Sequence, residues 1–312
     1  MTPKLMRLNV CRPPIFATKG RTVAPAPRTR VSRIHLRAEI AAAAFAVVFL
    51  LSTLPTPRAQ AQTLTVLYSF SAGTDGTQPH AGLIMDKAGN LYGTTASGGA
   101  SDYGTVFKLD TTGTEIVLHS FSVADGTGPV GAGLVRDLKG NLYGTASSGA
   151  FGYGTVFKLT PRGTYDVLYS FTNVPDGATP EAGLVRDSKG NLYGTTASGG
   201  AFGYGTVFKV DTTGTEIILH SFSGTDGIQP QAGLVMDKAG NLYGTTVFGG
   251  ASGGGTVFKL DTTGTEIVLH SFSGADGLFP LAGLVMDEVG NLYGTTDFGG
   301  SHGWGAVFKL IP

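Results

Sequence analysis

Short apolar runs separated by glycine-rich turns recur along most of the chain. In the repeat that begins at Ala81 four runs stand out, with the sequences GLIMD, NLYGTT, TVFKL and TEIVLHSF. They are rich in Val, Ile, Thr, Tyr and Phe, which is typical of β-strands, and several are apolar at almost every position, as expected for strands covered on both faces. Beyond residue 61 no amphipathic helical pattern of useful length occurs. The pattern predicts an all-β body.

The segment Gly-Asn-Leu-Tyr-Gly marks the period of this pattern. Its five copies begin at Gly89, Gly140, Gly190, Gly240 and Gly290. The repeats are therefore about 50 residues long and start near residues 81, 132, 182, 232 and 282. This length, with four strands in each unit, is typical of propeller blades. Asp-x-x-Gly segments between strands suit tight hairpin turns that end on a left-handed glycine.

The order of strands at the two ends predicts how the array closes. The body opens with a lone fourth strand at residues 63–70 and finishes with a third strand at residues 306–310. We therefore expect a five-bladed β-propeller over residues 62–312, in which segment 63–70 pairs beside residues 306–310 and completes the last blade. The alternative, an open array, would leave both edges unpaired.

Residues 1–61 resemble a secretory signal peptide. A basic region is followed by an apolar run at residues 40–51 and by Ala59-Gln60-Ala61, which suits cleavage after Ala61. The alternative is an uncleaved anchor, but twelve apolar residues fall short of the ~20 that a spanning helix needs. We expect an exported protein, periplasmic, extracellular or surface-associated, with no transmembrane segment in the mature chain. Cys11, the only cysteine, lies in the leader, so the body forms no disulfide.

The balanced overall charge hides a basic leader and an acidic body. Residues 1–61 hold ten Lys or Arg and one acid, which leaves twelve basic and twenty-one acidic residues in the body, a net charge of about −9. Phosphate backbones are bound by clustered Lys and Arg, so nucleic acid is excluded as a partner.

The repeat unit also resembles a known family. The units GLIMDKAGNLYGTTASGGASDYGTVFKL and GLVMDEVGNLYGTTDFGGSHGWGAVFKL, at residues 82–109 and 283–310, are similar to the GloVer tandem repeat of bacterial choice-of-anchor proteins. The resemblance covers about residues 81–310. It implies an exported bacterial repeat protein, and it brings no catalytic residues with it.

Residues that break the repeat on the face of the longer loops are the candidates for function, because loops on a rigid scaffold concentrate binding residues. These loops also carry Phe248, Phe279 and Phe298. Aromatic rings there would stack on sugars or anchor a protein partner; alternatively, the tyrosines only cover the blade edge. The candidate binding residues are Tyr103, Tyr153, Tyr204, Trp304, His80, Glu181, Gln231, Asp297 and His302.

No cofactor or metal is expected from the sequence. His119, His220 and His270 stand on fourth strands where other repeats carry Tyr68 and Tyr169, an exchange that favours a packing role. No cluster of residues has the spacing of a zinc site.

The leading hypothesis is a non-enzymatic, monomeric exported module that binds carbohydrate or a surface protein. One alternative is a hydrolase or lyase acting on extracellular polysaccharide, which would require Glu181, Asp297 and His80 to converge in one pocket. The other is a purely structural surface module.

Overall fold

Five antiparallel β-sheets make up the described part of the chain, which contains no helix. The structure, a computed structural model, describes residues 63–129, 131, 133–149 and 151–312. Each sheet is built from one repeat, and its strands lie side by side in chain order, as in a propeller blade. The five-bladed all-β propeller predicted from the repeat pattern is therefore confirmed. The predicted signal peptide lies outside the described residues.

Blades 1 to 4 have four strands each, and blade 5 has three. Blade 1 comprises β1 (Ile84–Met85), β2 (Leu91–Thr95), β3 (Thr105–Leu109) and β4 (Glu115–Ser120). Blade 2 comprises β5 (Val135–Arg136), β6 (Leu142–Ala146), β7 (Thr155–Leu159) and β8 (Tyr165–Ser170). Blade 3 comprises β9 (Val185–Arg186), β10 (Leu192–Thr196), β11 (Thr206–Val210) and β12 (Glu216–Ser221). Blade 4 comprises β13 (Val235–Met236), β14 (Leu242–Thr246), β15 (Thr256–Leu260) and β16 (Glu266–Ser271). Blade 5 comprises β17 (Val285–Met286), β18 (Leu292–Thr296) and β19 (Ala306–Leu310).

Blade 3 shows why the Gly-Asn-Leu-Tyr-Gly segment repeats. The Asp187 carboxylate accepts hydrogen bonds from the backbone and the side-chain amide of Asn191, at 2.9 and 2.7 Å, and from the Tyr193 hydroxyl at 3.1 Å. Gly194 lies opposite Phe208, and a Cβ at this glycine would come within 2.6 Å of the ring. The repeated residues therefore close the first hairpin and make room for the core aromatic ring.

Neighbouring blades are joined by one aromatic contact that is repeated at every boundary. The Phe that follows the fourth strand of one blade packs edge-on against the Phe in the third strand of the next. Between blades 2 and 3, Phe171 and Phe208 have ring centroids 5.0 Å apart, and both side chains are fully buried. Leu, Val and Tyr side chains from both blades surround each such pair, so the core consists of four clusters that each span a boundary.

Segment 63–70 docks on blade 1 but does not complete blade 5. Phe70 packs against Phe107 at 5.1 Å, which is the contact that a preceding fourth strand would make. Within the described residues, however, β19 pairs only with β18. Val307 on β19 is 82% exposed, whereas its four equivalents in the other blades are fully buried. The predicted closing pair is thus absent, because the segment is held by side-chain packing on the next blade and not by backbone bonds to β19.

This difference in burial gives a direct test of the seam between blades 5 and 1. We expect Val257→Asp, in the fully buried equivalent position, to destabilise the protein by more than about 4 kcal/mol because it buries an unpaired charge. Val307→Asp should change stability by no more than about 0.5 kcal/mol, as for an ordinary surface position. Urea unfolding of both variants measures the difference.

A large destabilisation by Val307→Asp would show that this edge is covered in solution and would contradict the exposed seam.

Candidate functional site

A shallow cavity of about 370 Å³ lies on the loop face, where the chain enters the first strands of blades 2 to 5. Equivalent positions of successive repeats line it, namely Gly131, Glu181, Gln231 and Leu281. The segments that lead into the first strands approach closely, since a Cβ at Gly183 would lie 3.1 Å from the backbone oxygen of Gly133. Repetition around the propeller thus brings together residues that are about 50 positions apart in the sequence.

Glu181 is the ionisable group of this cavity. It is partly buried, and burial raises the pKa of its carboxyl above the ordinary value. Gln231, beside it in the lining, is also partly buried and supplies an amide that both donates and accepts hydrogen bonds. The floor of small Gly and Ala residues leaves these two polar side chains room to meet a ligand.

The other candidate acids and histidines lie elsewhere. Among the described residues, neither His80 nor Asp297 lines the cavity, and both side chains are exposed. His302 is also exposed, and its ring hydrogen-bonds to the hydroxyl of its neighbour Ser301 at 2.9 Å. The hydrolase hypothesis requires Glu181, Asp297 and His80 to converge in one pocket. Only Glu181 lines this cavity, so the three residues do not converge here.

The aromatic position on the longer loops differs between blade 5 and the rest. Tyr103, Tyr153 and Tyr204 are 37–40% exposed. Their backbone oxygens accept hydrogen bonds from the loop that leads to the next blade, for example from Gln229 to Tyr204 at 2.9 Å. Trp304 is 85% exposed because it lies at the unpacked seam, and no such bond is found for it within the described residues.

Three phenylalanines form an aromatic cluster between blades 4 and 5. The rings of Phe248 and Phe279 are 5.0 Å apart, and those of Phe279 and Phe298 are 6.2 Å apart. Phe248 and Phe298 are 38% and 45% exposed. Phe279 has a φ of 58°, a left-handed conformation that is rare for a bulky residue, so the fold holds its ring in place against a local cost.

The aromatic cluster replaces polar groups that other blades carry at the same positions. Between blades 2 and 3, Thr179 and Ser198 stand there, and their hydroxyls hydrogen-bond at 2.8 Å. The cluster is close to the cavity along the chain, since Leu281 in the cavity wall is two residues beyond Phe279. The sequence shows the three phenylalanines singly; only the strand register and the blade order bring them together.

A second polar arrangement, at the outer part of each blade boundary, was not foreseen from the sequence. An Asp-Gly pair follows segment 63–70 and each of the fourth strands, and its carboxylate caps the loop that leads to the next blade. In four boundaries this carboxylate also hydrogen-bonds to the Tyr or His of the preceding strand, as in Tyr68 to Asp75 at 2.8 Å and His270 to Asp276 at 2.7 Å. The sequence pattern that could have predicted this contact is the Asp that recurs six or seven residues after that Tyr or His.

The next blade contributes a third side chain to most of these boundaries. It is the first residue of the fourth strand, and in blade 3 it is Glu216. Burial and, to a lesser extent, the nearby Asp176 carboxylate raise the pKa of Glu216 to about 7. Its Oε1 atom is buried and has no hydrogen-bond partner among the described residues. In blade 2 Tyr165 takes this place and stacks on His119 at 3.9 Å.

The fold and the site define a class of protein, a tandem-repeat β-propeller with uniform hairpins on one face and variable loops on the other. The chain belongs to the Gloeobacter/Verrucomicrobia repeat family, whose sequence profile matches residues 53–196 and 183–312. This confirms the resemblance of the repeat units to the GloVer repeat. No curated protein sequence matches the chain significantly.

Solved structures similar to this chain are distant in sequence. A gluconolactonase from Xanthomonas campestris is 15% identical over 74% of this chain and 71% of its own, with a TM-score of 0.46. The extracellular domain of a one-component system from B. thetaiotaomicron is 10% identical over 76% of this chain, with a TM-score of 0.51. This chain spans 27% of the length of the latter protein. The second likeness supports the fold; neither bears on activity.

The described residues contain no helix long and apolar enough to cross a bilayer.

The raised pKa of Glu216 predicts a pH-dependent stability. A carboxyl whose pKa is higher in the folded than in the unfolded state contributes stability below about pH 4.5, and this contribution is lost as the pH rises to about 7. Glu216→Gln removes the charge, so its melting temperature should fall less between pH 4 and pH 8 than that of the wild type. We expect a difference of roughly 2–4 °C, the shift that ~1 kcal/mol causes in a domain of this size.

Glu288→Gln, an exposed change in a hairpin turn, is the control and should follow the wild type. Equal pH dependence in Glu216→Gln and the wild type would contradict the buried, charge-sensitive position of Glu216.

Proposed function

We propose that this protein is an exported, non-enzymatic binding module that takes a carbohydrate ligand on its loop face. The observation that carries the proposal is the aromatic cluster of Phe248, Phe279 and Phe298 on the loop face. Phe279 is two residues from Leu281, in the wall of a cavity with two polar side chains, Glu181 and Gln231. Export is supported by the leader-like residues 1–61 and by the resemblance to exported repeat proteins.

The chemistry of this surface suits a sugar. The apolar face of a pyranose ring packs on an aromatic ring, and its hydroxyls need acceptors and donors within reach, such as a carboxylate and an amide. Phe248, Phe298 and Leu281 expose 38%, 45% and 47% of their surface, so they are accessible without rearrangement. The acidic body disfavours a polyanionic glycan, so a neutral or cationic sugar fits better.

Catalysis on the same polysaccharide is the second candidate, and one observation favours it. A partly buried carboxyl with a raised pKa, as in Glu181, is the property of a general acid. A glycosidase of the usual type also needs a second carboxylate about 5–10 Å away. None lines the cavity among the described residues, and the binding proposal therefore ranks first.

The repeat itself supplies conservative substitutions for testing the aromatic cluster. Phe248→Ser, Phe279→Gln and Phe298→Ser introduce residues that other blades carry at these positions, such as Ser198 and Gln229, so the triple variant should fold. Each ring contributes roughly 0.5–1.5 kcal/mol of contact, so we expect glycan affinity to fall at least about tenfold. A glycan array followed by calorimetry on the selected sugar measures this, with circular dichroism as the check on folding.

Three further variants locate the site and separate the candidate functions. If the protein only binds, Glu181→Gln should weaken glycan binding, and neither the wild type nor the variant should cleave polysaccharide. Cleavage by the wild type that is abolished in Glu181→Gln would favour the enzyme. Trp304→Ala and Tyr204→Ala test the aromatic position on the longer loops. If these two variants lose glycan binding and the triple variant keeps it, the site lies away from the aromatic cluster. If the wild type binds no glycan, the carbohydrate proposal is rejected.

A further inference from the structure

The boundary between blades 3 and 4 differs from the other blade boundaries in its side-chain chemistry. His220 comes from the fourth strand of blade 3, Asp226 from the loop that follows, and Glu266 from the fourth strand of blade 4. One potential ligand atom from each of the three lies within 4.8 Å of the other two. Imidazole nitrogen and carboxylate oxygen are both common ligands of divalent transition ions in proteins.

The three side chains are already held in place. His220 Nε2 and Asp226 Oδ2 are 2.9 Å apart, and the backbone N–H of Ser223 donates to the other oxygen of Asp226 at 2.8 Å. Glu266 Oε1 is buried and has no hydrogen-bond partner among the described residues. The side chains of His220 and Asp226 are 19% and 17% exposed, so the position is sheltered but open to an ion from solvent.

The charge of this group also points to a cation. Two carboxylates held close together and partly buried repel each other and lose hydration, which is costly unless a positive charge lies between them. A divalent ion bound to two carboxylates and one neutral imidazole would bring the group to zero net charge. It would also give the unpartnered Glu266 oxygen a ligand bond.

The other boundaries each lack one of the three ligands. Between blades 2 and 3, Tyr169 stands in place of the histidine beside Asp176 and Glu216. Between blades 1 and 2, Tyr165 stands in place of the glutamate beside His119 and Asp125. A neutral phenol is a far poorer ligand than an imidazole or a carboxylate. The repeat thus contains its own matched comparisons.

We propose that His220, Asp226 and Glu266 form a binding site for a divalent transition ion such as Zn²⁺, which links blade 3 to blade 4. Three protein ligands with a water in the fourth position is a common zinc geometry, whereas Ca²⁺ requires six to eight oxygen ligands. Tetrahedral bonds of about 2.0–2.2 Å place ligand atoms roughly 3.4 Å apart, so small side-chain movements suffice. The site is separate from the loop-face cavity and does not depend on the proposed function.

Calorimetric titration of the purified protein with Zn²⁺ is the first experiment, with Ca²⁺ as the comparison ion. We expect one Zn²⁺ per chain to be lost in His220→Tyr, which reproduces the Tyr169 arrangement and so should fold. Thermal unfolding provides a second readout. At free Zn²⁺ about one hundred times Kd, the melting temperature should rise by roughly 5–10 °C in the wild type and not in the variant.

The repeat offers both a control and a gain of function. His270→Tyr removes a histidine that has Asp276 but no third ligand among the described residues, and it should bind Zn²⁺ like the wild type. Tyr169→His builds the full set beside Asp176 and Glu216, and it should raise the stoichiometry by one. Glu266→Gln should lower affinity at least about tenfold.

Equal Zn²⁺ stoichiometry and affinity in the wild type and His220→Tyr would overturn the proposal, since any remaining binding would then come from other residues. A loss in His270→Tyr equal to that in His220→Tyr would overturn it as well.

Discussion

The edge-on contact between two phenylalanines at each blade boundary is the interaction on which the rest of this structure depends. A four-stranded sheet with two apolar faces is not stable alone, because it cannot bury both faces from water. The contact between Phe222 and Phe258, at 5.1 Å, lies inside a cluster of Leu and Val from both blades and buries the facing surfaces together. Because the same contact recurs, blades stack with one geometry, and residues at equivalent positions meet around a common centre.

The same dependence explains the one place where the array is less regular. Segment 63–70 keeps the aromatic contact to blade 1 through Phe70, although it has no strand partner within the described residues. Side-chain packing between blades and backbone pairing within a blade are therefore separable. At the outer edge of β19, which has no strand partner among the described residues, Val307 and Trp304 are exposed to solvent. The high exposure of Trp304 reflects its place at the seam, so exposure alone is weak evidence that it binds a ligand.

The repeats share their core and turn residues, and the residues that differ between repeats lie mainly in two zones. On the loop face, Phe248, Phe279 and Phe298 replace Ser, Thr, Gln or Gly of other repeats and form a continuous aromatic surface. At the outer boundaries, His220 and Glu266 complete a set of ligands that neighbouring boundaries hold only in part. In both zones the chemistry requires residues from two adjacent blades, so one substitution alone does not create the aromatic surface or the ligand set. Both zones lie on elements whose backbone the repeat keeps fixed.

The sequence by itself determined the all-β class, the number of blades, the strand order within each blade and the role of the repeated Asp and Gly in the hairpin turns. These depend on local periodicity and turn chemistry, which act over a few residues. It also singled out Glu181 and Gln231 as candidate binding residues. Only the tertiary structure decided which variable residues become neighbours, because contacts such as Phe248 with Phe279 and Asp226 with Glu266 cross between blades. It likewise decided that the outer edge of β19 has no strand partner within the described residues, since the angle between blades is set by the sum of many packing contacts and by no single motif.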